Sequence, residues 1–165
     1  MRTVLQINTV VNFGSTGSIV EEIGQLAIKN GWNSFVAYGR NEKPSSSMLI
    51  KVGSSLDIIQ HVIETRVLDR SGFASRQATK KFIKQLSEIK PDIIHLHNLH
   101  GYYLNIAILF RYLSTLEIPI VWTFHDCWPI TGHCTYFDYV NCYKWKSICS
   151  QCPQKFSYPT SFLLD

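Results

Sequence analysis

The chain has 165 residues, 45% of them hydrophobic and 17% charged. That apolar content suits one packed domain and excludes a disordered chain. The net charge of +4 is mild and scattered, with no basic run interleaved with aromatics, so it fits anionic ligands such as phosphates and argues against nucleic acid.

The first apolar run, Val4 to Ile7, reads as a strand. A loop from Thr9 to Gly17 follows, then a helix from Ser18 to Asn30. Ile19, Ile23, Leu26 and Ala27 form its apolar stripe, and Gly31 stops it. Asn33 to Tyr38 reads as a second strand, Gly39 to Ser47 as a polar loop and Met48 to Val52 as a third strand. Helices are predicted over Ser55 to Leu68 and Ser75 to Ile89, parted at Arg70-Ser71-Gly72. In the second of these, Ala78, Phe82, Leu86 and Ile89 share a face.

Two short strands ending in histidines come next. One runs Pro91-Asp92-Ile93-Ile94-His95-Leu96-His97-Asn98 and the other Pro119-Ile120-Val121-Trp122-Thr123-Phe124-His125-Asp126. Between them lies a helix, Tyr103 to Leu116, with Ile106, Leu109, Leu113 and Leu116 as its buried stripe. Continuously apolar strands are expected to be covered on both faces, as in a parallel sheet flanked by helices. The whole alternation predicts an α/β fold with a Rossmann-like, doubly wound parallel sheet. Residues 1–126 form that domain. Residues 127–158 are an irregular Cys-rich segment of it, and 159–165 read as the start of a helix, beginning near Ser161, that the chain interrupts.

Ligands of open α/β sheets bind beyond the carboxyl ends of the strands. His97, Asn98, His125 and Asp126 are therefore expected at that rim, with His95 in the core beneath a helix. His95 and His97 share a strand face, yet no acid stands near them in sequence to complete a metal set. The loop Asn12-Phe13-Gly14-Ser15-Thr16-Gly17-Ser18 is glycine-rich and opens a helix, a setting in which backbone N–H groups can meet an anion. It lacks both the G-x-G-x-x-G fingerprint and the P-loop lysine.

Cys134, Cys142, Cys149 and Cys152 follow C-x7-C-x6-C-x2-C. The closing C-x-x-C favours a structural zinc held by all four thiolates, with Lys144, Lys146 and Lys155 to offset the charge. Reduced core thiols and disulfides are the other two readings. His133 is a substitute ligand, and Cys127 reads as a lone buried thiol.

Taken together, the Gly-rich loop, the run Lys90 to Asn98 and the run Pro119 to Trp128 resemble GT-B glycosyltransferases of family 4, nearest to bacterial enzymes of surface polysaccharide assembly. Trp128-Pro129-Ile130-Thr131-Gly132-His133-Cys134 and Cys149-x-x-Cys152-Pro153 are similar to a cysteine-bearing subgroup. The resemblance implies one half of a GT-B fold, the N-terminal, acceptor-side domain of a retaining hexosyltransferase. Its substrates would be a nucleotide-sugar donor and a glycan or lipid-linked acceptor, with no catalytic metal. It also implies that Gly14, Ser15, Thr16 and Gly17 approach the donor diphosphate and that His125 lines the cleft near the transferred sugar. His97, Asn98 and Asp126 would lie by the acceptor. The C-terminal domain of the fold is missing from the 165 residues, which suggests a truncated piece or a split enzyme, inactive alone. No segment has the make-up of a signal peptide or a membrane span. The expected location is cytoplasmic, extending to the inner face of the membrane. A different reading of the same residues is a stand-alone Rossmann-like binding or assembly module with a structural zinc and no transferase activity.

Overall fold

The computed structural model describes residues 1–163. Its centre is a five-stranded sheet in the order β3-β2-β1-β4-β5, with every pairing parallel. The strands are β1 (Thr3–Asn8), β2 (Asn33–Tyr38), β3 (Met48–Lys51), β4 (Ile93–Leu96) and β5 (Ile120–Trp122). Chain order reverses between β1 and β4, so their carboxyl ends open the crevice where such sheets bind ligands. β1 is central and buried along its whole length.

Helices α1 (Gly14–Lys29), α2 (Ser55–Leu68), α3 (Arg76–Ile89) and α4 (Ile106–Leu113) make the crossovers. Local chemistry sets their ends. Ser54 and Asp57 form a reciprocal capping box on α2, and the Asn105 carboxamide accepts from Ile108 N–H at 3.0 Å to cap α4. Ala78, Phe82 and Leu86 of α3 and Leu109 and Leu113 of α4 join Leu5, Ile7, Ile94 and Leu96 in the main core, as their periodicity predicts.

Three expectations need correction. First, α1 begins at Gly14, so Gly14, Ser15, Thr16 and Gly17 are its first turn and not a loop before it. Phe13 occupies the cap position without a side-chain hydrogen bond. Second, the buried face of α1 is Gly17, Val20, Glu21 and Gly24, while Ile19 and Leu26 are exposed. The small residues win because the helix lies almost on the chain below it. A Cβ on Gly24 would run into the hydrogen-bonded Ser34 and Ser47 hydroxyls, 2.8 Å apart. Glu21 is tolerated inside because Ser45 Oγ and Ser46 N–H donate to its carboxylate; burial raises its pKa, but these bonds outweigh that and hold it low. Third, β5 is not covered on both faces. It is one of the two edge strands, and Ile120 and Val121 are exposed.

After β5 come a short helix α5 (Trp128–Thr131) and two 3-10 turns, Asp138–Val140 and Lys144–Lys146. The segment is tied back onto the domain. Phe162 N–H donates to the Arg66 carbonyl of α2 at 2.7 Å, and Tyr158 Oη donates to the His100 carbonyl at 3.1 Å. Residues 159–163 form no helix; the rest of the helix expected near Ser161 falls on Leu164 and Asp165, outside the described residues.

Candidate active site at the strand ends

The loops after β1 and β4 are tied together at the crevice by two tight approaches. Thr9 follows β1, and its hydroxyl donates to the Asn98 carbonyl at 3.0 Å. Its own carbonyl accepts the N–H groups of Gly39 and Arg40 at the end of β2. Gly101 passes so close to Thr9, and Gly39 to the Tyr103 ring, that a Cβ on either would overlap its neighbour. Tyr103 Oη adds a second bond to the Asn98 carbonyl at 2.9 Å, and Asn98 N–H donates to the Asn8 carboxamide at 3.2 Å. The rim is thus a set of strand-end residues locked by hydrogen bonds across the crevice.

The histidines form a chain that reaches from the core to this rim. Gln6, fully buried on β1, donates through Nε2 to the Val20 carbonyl at 2.9 Å. That fixes its amide with Oε1 toward His97 Nε2, 3.2 Å away. The ring nitrogen there must carry the proton. Burial is the main cause that pushes His97 down to about 3, with His95 and His125 nearby adding to it, so the ring is neutral. Its Nδ1 then has only a lone pair, and His125 Nε2–H donates to it at 3.0 Å. The consequence is a defined tautomer for His125, with Nδ1 left as a hydrogen-bond acceptor. Desolvation lowers the pKa of His125, while the Asp126 charge opposes it. His125 can therefore take a hydrogen bond from a substrate hydroxyl at neutral pH.

The sequence places His97 at the rim and His95 in the core, and the structure buries His97 the more deeply of the two. His97 is 1% exposed and stands behind His125, so no acceptor can reach it directly. His95 is half-buried, its Nε2 2.8 Å from Thr123 Oγ1. His97 keeps the strand face of His95, the two ring centroids 4.0 Å apart, but it is the deeper of the two, with its N–H on the Ile7 carbonyl and its ring against Gln6 and behind His125. Asn98 does line the rim cavity, together with Thr9, Thr16, Arg40, Asp126 and Tyr158. Asp126 also has structural work. Its Oδ1 accepts Trp128 N–H at 3.0 Å at the start of α5, and its Oδ2 meets His100 Nε2 at 2.8 Å. Of the first turn of α1, Gly14 and Ser15 are exposed, Thr16 reaches the cavity and Gly17 is buried against Asn12 and Val10.

Sequence reasoning missed Gln6, Arg40 and the partnership of His100 with Asp126. Gln6 sits in a strand whose pattern shows only apolar neighbours. His100 and Asp126 are joined only by the fold.

The four cysteines Cys134, Cys142, Cys149 and Cys152 line one cavity of about 170 Å³, shared with His133, Asp69 and Lys144. Desolvation raises the Cys134 thiol, with Cys149 and Cys142 close enough to raise it further and a hydrogen bond from Thr131 opposing. Asp69, at the end of α2, accepts from His133 Nδ1 at 2.7 Å, which leaves His133 Nε2 buried with no partner among the described residues. No three His, Cys, Asp or Glu side chains among the described residues are gathered tightly enough to hold an ion, so no formed metal centre is present there or at His95 and His97. Cys127 is half-buried, not fully enclosed.

The structure thus joins a Rossmann-like parallel sheet to a pair of hydrogen-bonded histidines, His97 and His125, at its strand ends. The Glycosyltransferase Family 4 profile matches residues 17–156, and the chain belongs to that family. It is 26% identical over 168 residues to the "Putative colanic acid biosynthesis glycosyl transferase WcaC" of Escherichia coli K12, covering 94% of this chain and 40% of that protein. The chain therefore spans about two fifths of the curated relative it matches. Among solved structures, the SsfS6 glycosyltransferase of Streptomyces sp. SF2575 aligns with a TM-score of 0.49 at 12% identity, over 76% of this chain and 40% of the other. No helix among the described residues is long and apolar enough to cross a membrane.

Proposed function

We propose that the chain is the acceptor-side half of a retaining, nucleotide-sugar-dependent hexosyltransferase of bacterial surface polysaccharide assembly. The observation that carries this is the Gln6–His97–His125 chain ending at the crevice of a family 4 domain. His125 receives a hydroxyl of the transferred sugar or of the acceptor on Nδ1, in an orientation set from the core. The Gly14–Gly17 turn, whose N–H groups have no side-chain cap, faces the donor diphosphate, and Asn98 and Asp126 border the acceptor. A second domain of comparable size closes the cleft, a reading supported by the 40% share of the relative's length. Negative charge on the leaving diphosphate would be met by backbone dipoles, with no catalytic metal required. The 165 residues alone should not transfer sugar, and the enzyme works at the cytoplasmic membrane face. Incubation of the intact two-domain protein with a panel of nucleotide hexoses and a glycan or prenyl-linked acceptor should give a glycosylated product from at least one donor. No product from any donor contradicts the reading.

The cysteine segment is structural in this account, with one zinc drawing Cys134, Cys142, Cys149 and Cys152 together. Their shared cavity supports it, and so does the His133–Asp69 pair. A histidine that gives one N–H to a carboxylate and keeps a bare lone pair has the form of a metal ligand with its outer partner. His133 is thus positioned to replace one thiolate. Metal analysis after chelator-free purification should find about one zinc per chain, reduced by Cys149→Ser. Metal-free protein with all five thiols titratable would refute the site.

A further inference from the structure

Arg40 follows Gly39 at the end of β2 and reaches the rim cavity of about 390 Å³. Its backbone is fixed, since its N–H donates to the Thr9 carbonyl at 3.0 Å. Its guanidinium lies 5.6 Å over the Tyr102 ring and hydrogen-bonds the Tyr158 hydroxyl. Yet Nε is buried without a hydrogen-bond partner, and no carboxylate among the described residues stands within ion-pair reach. The one carboxylate on the cavity wall, Asp126, already takes donors on both oxygens. Thr16, on the same wall, belongs to the first turn of α1, which has no acidic residue and no side-chain cap. A built cavity therefore carries a positive charge with spare donors and an uncapped helix start.

A planar guanidinium held over an aromatic ring, with no carboxylate partner, is suited to a forked oxyanion. We propose that this cavity binds a phosphate or diphosphate group of a substrate, with Arg40 as its principal contact. The proposal rests on the glycosyltransferase reading for the identity of the substrate. Two sources carry this chemistry: the nucleotide diphosphate of the donor and the diphosphate of a lipid-linked acceptor.

Calorimetric titration of the 165-residue chain with inorganic pyrophosphate tests the site, with uridine diphosphate and farnesyl diphosphate as separate arms. The wild-type chain should bind pyrophosphate at a single site, more weakly as salt rises. Arg40→Gln should weaken it about 10-fold or more, the loss of a charge-assisted hydrogen bond. Arg40→Lys, which keeps the charge and loses the fork, should fall between. Tighter binding of uridine diphosphate than of pyrophosphate assigns the site to the donor; tighter binding of farnesyl diphosphate assigns it to the acceptor. The proposal is overturned if pyrophosphate fails to bind at millimolar concentration, or if Arg40→Gln or Arg40→Lys, folded by circular dichroism, binds as tightly as wild type. Binding is read without sugar transfer, so the oxyanion site and the transferase reading can fail separately.

Discussion

At the level of single residues, the chemistry of His125 depends on which of its ring nitrogens bears the proton. Gln6 settles that from the core, three groups away from solvent. Gln6→Leu should leave the His97 Nε2–H unsatisfied and cost about 1–3 kcal/mol. It should also release the tautomer, which ¹⁵N shifts of the His125 ring would report as a mixture. An unchanged single tautomer would contradict the chain. Acid is a second probe. Burial holds His97 down to about 3 and His61, bonded to Ser75 Oγ and Gly72 N–H, down to about 4. Unfolded histidines protonate near 6.5, so below that pH the unfolded state binds more protons. Stability should be complete above about 6.5 and fall as pH drops, by about 1.4 kcal/mol per pH unit for each ring, until about 4 for His61 and 3 for His97. Urea midpoints between pH 7 and 4 would show this, and a flat profile would argue against buried neutral rings.

Among the elements, the crevice depends on loops that approach too closely for side chains. Gly101→Ala should push Thr9 from the Asn98 carbonyl, and Gly39→Ala should collide with Tyr103. Each should cost on the order of 1–3 kcal/mol in chemical denaturation, because neither neighbour is a flexible side-chain end. A loss below a few tenths would mean the loops can relax. The same close packing explains where sequence reading succeeds and fails. Periodicity marks α3 and α4 because their buried faces are large and apolar, but α1 sits on the sheet through Gly17, Val20, Glu21 and Gly24, a face no hydrophobic pattern reveals. The strands of the sheet are legible as apolar runs. Which strand is an edge is not, since β5 reads like β4 and only the pairing order leaves Ile120 and Val121 exposed.

For the whole molecule, the strand-end rule points to the rim where the structure has a cavity, because a parallel sheet with a reversal between β1 and β4 leaves a crevice there. The place of Asn98 on that cavity wall follows from the rule alone. The burial of His97 between Gln6 and His125, the pairing of His100 with Asp126 and the exposure of Arg40 to the cavity depend on contacts spanning dozens of residues. They were not readable. The cysteine segment is a parallel case: spacing groups four thiols, while Asp69, 64 residues before His133, is brought to them only by folding. The central claim is that His125 does its work at the crevice of a two-domain glycosyltransferase. Sugar transfer by the intact protein carrying His125→Ala tests it most directly. The account predicts a loss of at least about 100-fold with the fold intact by circular dichroism; transfer at the wild-type rate by that folded variant would contradict it.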